Sequence, residues 1–255
     1  MHLPFEPENY IPDENEFIHE RQIWRNDMAN DASLREKAIS LTLSANKFNY
    51  GYQWEWCGIP IIRHPDDIVL QQELIWNLRP SHIIETGIAR GGSLVLSATL
   101  MEMSGKPANV LGIDLQIFPH AYRALDAWLK SGKVKILESD SASLISLEFV
   151  RNFLGNVKTP VLLVLDSNHT HDHVLKELNI YSPLLPKESI IIVADTIINE
   201  MPRDYYQNRH WSHNRNPMTA IQEFLKTNSN YAIDKHWARR SLTSEFRDGI
   251  LRRIN

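Results

Sequence analysis

Five short, mostly unbroken apolar runs recur through the middle of the chain: HIIET (82–86), NVLGID (109–114), VKIL (134–137), VLLVLD (161–166) and SIIIVAD (189–195). Continuous apolar runs of this length are the pattern of strands covered on both faces. The segments between them, SLVLSATLMEMSG, AYRALDAWLKSG, LISLEFVRNFLG and HVLKELNIYSPLL, carry apolar residues at helical spacing. Strands alternating with helices predict an α/β fold, a mostly parallel sheet with helices on both faces. Upstream, SLREKAISLTLSANKF (33–48) predicts a lead-in helix, and YGYQWEWCGIPIIRHP (50–65) an irregular or short-strand segment. DDIVLQQELIWNLRP (66–80) predicts an amphipathic helix with an acidic first turn. Downstream come an aperiodic stretch at 199–217, a helix at MTAIQEFLKTN and two short β-like runs, YAID and GILRRI. The chain therefore divides into an N-terminal extension, 1–65, and a main domain, 66–255, with a loop or lid at about 199–217.

Composition narrows the function. With 27 Lys plus Arg against 31 Asp plus Glu the formal charge is −4, so no positive field is available for phosphodiester backbone and nucleic acid is not expected as a partner. The one cysteine excludes an internal disulfide framework and a Cys-rich zinc site. No apolar run approaches the roughly 18 residues of a membrane span, and the acidic, Pro-containing start differs from a signal peptide. A cytoplasmic protein without a transmembrane segment is expected.

Ligands of open parallel sheets bind at the carboxyl ends of the strands. Four of the five runs close on or beside an acid, Glu85, Asp114, Asp166 and Asp195, and Asp140 follows the other. The first strand leads into a turn with Gly87, Gly91 and Gly92, and Ser93 opens the next helix. Such a turn lets a ligand approach the backbone and offers free N–H groups to an anion. Asp114 lies 114 − 92 = 22 residues beyond Gly92 at a strand end, where an acid accepts hydrogen bonds from a ribose diol. A nucleoside-bearing cofactor follows. In the DSNH segment Asp166 and His169 share one loop, and an imidazole there is placed to take a proton from a hydroxyl. The neighbouring His171 and His173 read as structural.

The run ETGIARGGS, together with WCGIPIIRHP and PDDIVLQQELIWNLRPSHIIE, resembles the cephalosporin hydroxylase family of S-adenosylmethionine-dependent class I methyltransferases, which is similar to macrolide and rhamnosyl sugar O-methyltransferases. The resemblance runs from about Trp56 to the C-terminus and implies a Rossmann-like methyltransferase fold. It implies that Glu85 and Gly87, with Gly91 and Ser93 of the same turn, bind the methionine end of S-adenosylmethionine. Asp114 would hold the ribose, and Asp140 and Ser141 would sit by the adenine. It further implies Asp166 as a magnesium ligand and His169 as general base. The related enzymes carry adjacent Glu-Asp at the end of the fifth strand, whereas this chain has Ala194-Asp195, leaving Asp166 and Asp195 as the carboxylate pair for a metal.

The segment HWSHNRNP (210–217) supplies His210, Trp211, His213 and Arg215, groups suited to stack on and hydrogen-bond a sugar. The expected partner is a small-molecule or glycan acceptor methylated on a hydroxyl, and the expected assembly a homo-oligomer. A non-catalytic family member in a glycan-assembly complex is an alternative, which Ala194 favours. A nicotinamide-dependent oxidoreductase is another, although no G-x-G-x-x-G is present.

Overall fold

The computed structural model describes residues 13–206, 209–238 and 240–255. Helices α1 (Glu14–Asn30) and α2 (Ala32–Asn46) lead into a short antiparallel hairpin of β1 (Trp54–Trp56) and β2 (Ile59–Ile61). There follow α3 (Pro65–Leu78), β3 (His82–Thr86), α4 (Gly92–Met103), β4 (Val110–Asp114), α5 (Pro119–Lys130), β5 (Val134–Glu138) and α6 (Leu144–Leu154). The chain closes with β6 (Val161–Leu165), α7 (His171–Tyr181), β7 (Ile190–Val193), α8 (Pro217–Thr227), β8 (Tyr231–Ile233), α9 (Lys235–Ala238) and β9 (Ile250–Arg253).

The seven-stranded sheet has the order β5-β4-β3-β6-β7-β9-β8. The pairs from β5 to β7 are parallel, and only β9 runs against its neighbours. Ile84 of β3 sits beside both Leu111 and Leu163, so the strand that feeds the glycine turn lies mid-sheet. One core packs Leu70, Leu74, Leu94 and Leu125 from α3, α4 and α5 on one face. The other packs Val150, Leu178, Ile221 and Phe224 from α6, α7 and α8 on the opposite face. This burial on both sides is why the strands are almost purely apolar. No helix among the described residues is long and apolar enough to cross a membrane.

The sequence did not announce α1. It buries no residue, so it has no apolar stripe to recognise; Asp13 starts it by accepting from the N–H groups of Asn15 and Glu16. Elsewhere the caps follow the residues: Ser143 opens α6, and Asn216 with Thr219 forms a capping box ahead of α8.

Candidate active site

A cavity of about 350 Å3 opens at the carboxyl ends of β3, β6 and β7. Residues from both sides of position 65 line it: Tyr52, Arg63 and His64 come from the N-terminal extension, and the 87–93 turn, Asp166, His169, Asp195, Trp211 and Glu245 from the main domain. The extension is therefore part of the cavity wall.

The turn is shaped by close approach. Gly87 has φ +91°, and a Cβ there would stand 2.1 Å from the carbonyl oxygen of Asp166 on the adjacent strand end. At Gly92 a Cβ would meet the carbonyl oxygen of Pro60 at 2.4 Å, so the β1–β2 hairpin can lie directly on the start of α4. Asp114 holds this turn from below its outer edge: Oδ2 accepts from Ile88 N at 2.7 Å and from Ala89 N at 3.3 Å.

Among the lining residues is a buried cation that the sequence did not single out. Arg63, 1% exposed, donates to Glu85 Oε1 at 3.1 Å, to Asp166 Oδ2 at 3.4 Å and to Gln71 Oε1, while its guanidinium stacks over Phe246. Gln71 is fixed in turn by Ser97. Glu85 Oε2 is buried with no hydrogen-bond partner. Burial pushes the Glu85 carboxyl up and Arg63 opposes that shift. A carboxylate oxygen left over at the cavity edge fits a ligand with an amino group, as the methionine end of S-adenosylmethionine has.

The catalytic candidates meet as the sheet order requires. Asp166 follows β6 and Asp195 follows the adjacent β7, and His169 Nδ1 lies 2.9 Å from Asp195 Oδ2. Asp195 has φ +56°, a left-handed conformation that turns the chain sharply at the strand end and that Asp tolerates better than most residues. Trp211 packs edge-on against the His169 ring at 5.4 Å. Burial pushes the Asp166 carboxyl up to about 7 despite Arg63 and His169. Burial also opposes charge on His169, but the charge and hydrogen bond of Asp195, with Asp166 behind, outweigh it and hold the imidazole at about 9. For Asp195 the same pairing outweighs burial and keeps its carboxyl below the usual range. The carboxylate beside it therefore favours the charged form of the His169 ring.

One ligand atom each from Asp166, His169 and Asp195 fall within 4.8 Å of one another, close enough for a single cation to touch all three. Two carboxylate oxygens suit a hard cation such as magnesium. Ala194, 3% exposed in the core, contributes no donor.

The other expected residues are distributed unevenly. Asp140 is exposed and accepts from Ala142 N, and Asp114 stands beside the turn, but neither lines the cavity. The Ser141 hydroxyl is 3.0 Å from His173 Nε2 and 3.3 Å from the Ser167 hydroxyl, inside a polar cluster that continues to buried Glu177. His171 bonds Thr219 and faces Glu223, joining α7 to α8, a structural role as expected. In the 199–217 loop only Trp211 of the four expected residues reaches the cavity, with Arg209 stacked on it at 5.4 Å and Tyr205 nearby. Ser212 and Arg215 exchange backbone hydrogen bonds in a tight turn, which directs Arg215 to Asp172 on α7. His210 and His213 are exposed and do not line the cavity. Gln207 and Asn208 of this loop lie outside the described residues. Arg63, His64 and Glu245 were missed because they sit in segments without periodicity; the one signal was an Arg-His pair between an apolar run and a helix start.

The family model described as rhamnosyl O-methyltransferase/CmcI matches residues 48–254. The rhamnosyl O-methyltransferase of Mycobacterium leprae (strain TN) is 29% identical over 167 residues, 64% of this chain and 71% of that enzyme. The rhamnosyl O-methyltransferase of Mycobacterium bovis (strain BCG / Pasteur 1173P2) is 31% identical over 148 residues, which is 58% of either chain. Among solved structures, the apo form of CmcI superposes with a TM-score of 0.61 at 22% identity, covering 80% of this chain and 77% of that one. A CmcI structure described as Mg-SAM gives 0.56 at 21% identity, covering 80% and 78%. At these identities the two likenesses speak for the shared fold.

Proposed function

This chain belongs to the rhamnosyl O-methyltransferase/CmcI family, and from that premise we propose that it moves a methyl group from S-adenosylmethionine to a hydroxyl on a sugar of a glycan, glycolipid or natural product. The observation that carries this is the convergence, in one cavity, of the 87–93 turn with Glu85 and of Asp166, His169 and Asp195 on neighbouring strand ends. The family places the chain among methyltransferases, which removes the nicotinamide alternative.

S-adenosylmethionine supplies an already electrophilic methyl, so the protein's main task is to hold one acceptor oxygen in line with it. Glu85 and the turn amides bind and orient the cofactor; Arg63 keeps the Glu85 and Asp166 carboxylates from repelling each other. Trp211 screens the His169 ring from water and offers a flat face to sugar CH groups. His169 takes the hydroxyl proton at a ring nitrogen, with Asp195 fixing the ring at Nδ1, so the opposite nitrogen, Nε2, is the one that meets the acceptor. Asp195 favours the imidazolium, and positive charge entering with the cofactor or a metal opposes it and lets the ring act as a base. Asp166 and Asp195 would hold a magnesium ion, whose chemistry is to make the bound hydroxyl more acidic. Titration calorimetry with S-adenosylhomocysteine tests the cofactor half of this proposal: one site per chain supports it, and no heat at millimolar ligand contradicts it.

A further inference from the structure

One part of the cavity wall is built from residues the proposed methyl transfer leaves idle. His64, 1% exposed, precedes α3 and places Nδ1 2.6 Å from the Thr243 carbonyl oxygen. A carbonyl only accepts, so Nδ1 carries a hydrogen and Nε2 is the ring atom left to meet a ligand. Nε2 is buried without a hydrogen-bond partner, and Glu245 Oε1 stands 3.6 Å from it, beyond hydrogen-bond reach. Both residues line the cavity.

The His64 ring and the backbone that carries Glu245 are both held in place. Asp66 Oδ2 accepts from the Thr243 N–H at 2.9 Å and the Thr243 hydroxyl at 3.0 Å, and Asp67 accepts from the Ser244 hydroxyl and from Glu245 N at 2.8 Å. The segment 243–245 is thereby bolted to the first turn of α3. On the other side the His64 ring is packed by Tyr50 at 5.5 Å and by Gly51, where even a Cβ would stand 3.2 Å from the imidazole. Two polar atoms 3.6 Å apart at the cavity wall can both be reached by one oxygen at about 2.8 Å from each, the ordinary distance of a hydroxyl hydrogen bond. Burying His64 Nε2 unmet is costly.

We infer that His64 and Glu245 form a subsite for a second hydroxyl of the acceptor, so that the enzyme takes a polyol such as a sugar ring rather than a simple alcohol; this rests on the sugar-acceptor proposal above. A hydroxyl both donates and accepts, so one bound hydroxyl bridges His64 Nε2 and the Glu245 carboxyl. A group of this kind is read by what it lacks: an acceptor without that hydroxyl leaves His64 Nε2 buried and unpaired.

The test uses the whole protein with S-adenosylmethionine, methyl α-L-rhamnopyranoside and its monodeoxy analogues. One analogue should still be methylated at another hydroxyl but with kcat/KM lower by about 10- to 100-fold, and Glu245→Gln and His64→Gln should each flatten the difference between that analogue and the parent sugar. In protein labelled with 15N histidine and saturated with S-adenosylhomocysteine, the parent sugar should move the His64 Nε2 resonance and that analogue should not. A wild type that methylates every analogue capable of reacting equally well, or a His64 nitrogen unmoved at saturating sugar, overturns the subsite while leaving methyl transfer intact; a resident water between the two side chains would give this result. A wild type that binds S-adenosylhomocysteine yet neither binds nor methylates any of these sugars overturns the acceptor proposal and the subsite with it. The analogue series needs no substitution, so a variant that fails to fold leaves the test decisive.

Discussion

His169 Nδ1 and Asp195 Oδ2 lie 2.9 Å apart across the ends of two adjacent parallel strands, a pairing that ties the state of the proposed base to a carboxylate that is also a candidate metal ligand. In the cofactor-free, metal-free protein the His169 resonance should titrate at about 9, and Asp195→Asn should bring it down toward the ordinary value near 6.5. The folded value exceeds the unfolded one, so the pair's stabilising contribution is complete below about 6.5 and fades as pH rises through about 9. Chemical denaturation across that window should show a steeper loss in the native protein than in Asp195→Asn. Equal slopes would mean that the pair is not formed in solution.

Replacing His169 by Ala should lower turnover by about 10²–10⁴ with S-adenosylhomocysteine affinity nearly unchanged, since the ring does not belong to the glycine turn. His171→Ala should instead cost about 1 kcal/mol of stability by releasing Thr219 while turnover per folded molecule is kept. A turnover loss as large on replacing His171 would relocate the base.

Arg63 is the cation on which the buried Glu85 and the half-buried Asp166 carboxylates depend. Arg63→Met should destabilise the fold by about 3–5 kcal/mol, because Glu85 and Asp166 are left facing each other uncompensated. Arg63→Lys should recover only part of this, as an ammonium lacks the fork that reaches Gln71, Glu85 and Asp166 together. Urea unfolding of the three proteins decides the point; full rescue by Lys would reduce Arg63 to a bare charge.

How much of this was legible beforehand depended on burial pattern. The strands of the parallel core were visible because both faces are covered, so Val161–Leu165 and Ile190–Val193 read as unbroken apolar runs. Asp166, His169 and Asp195 were visible because the acids end those runs and the β6–β7 adjacency brings them together. Helix α1 was invisible because it buries nothing. Arg63, His64 and Glu245 were invisible because they meet through packing of the β1–β2 hairpin and the 241–248 segment on the sheet, contacts about 180 residues apart that no local period encodes. In the substrate loop residue type alone suggested His210, His213 and Arg215, but a turn at Ser212–Arg215 decided that Trp211 faces inward and Arg215 faces α7.

Gly87 offers a sharp test of the turn. Gly87→Ala puts a Cβ 2.1 Å from the Asp166 carbonyl oxygen at φ +91°, so the ends of β3 and β6 must part. The variant should lose S-adenosylhomocysteine binding by at least about tenfold and melt earlier, with strain of order 1–3 kcal/mol. Unchanged binding would show that the cofactor does not rest on this turn.

Metal dependence follows from Ala194. If Asp166 and Asp195 hold magnesium, exhaustive chelation should abolish turnover while sparing S-adenosylhomocysteine binding, and Ala194→Glu should tighten magnesium in calorimetry. Full turnover after chelation would leave His169 to activate the hydroxyl alone.

The most direct measurement of the central claim is mass spectrometry of methyl α-L-rhamnopyranoside incubated with the protein and S-adenosylmethionine carrying a deuterated methyl. Transfer from cofactor to sugar hydroxyl through this cavity predicts a methyl ether bearing the intact labelled methyl, formed together with S-adenosylhomocysteine and lost in His169→Ala. Labelled cofactor left unconsumed, or product formed equally by His169→Ala, would contradict it.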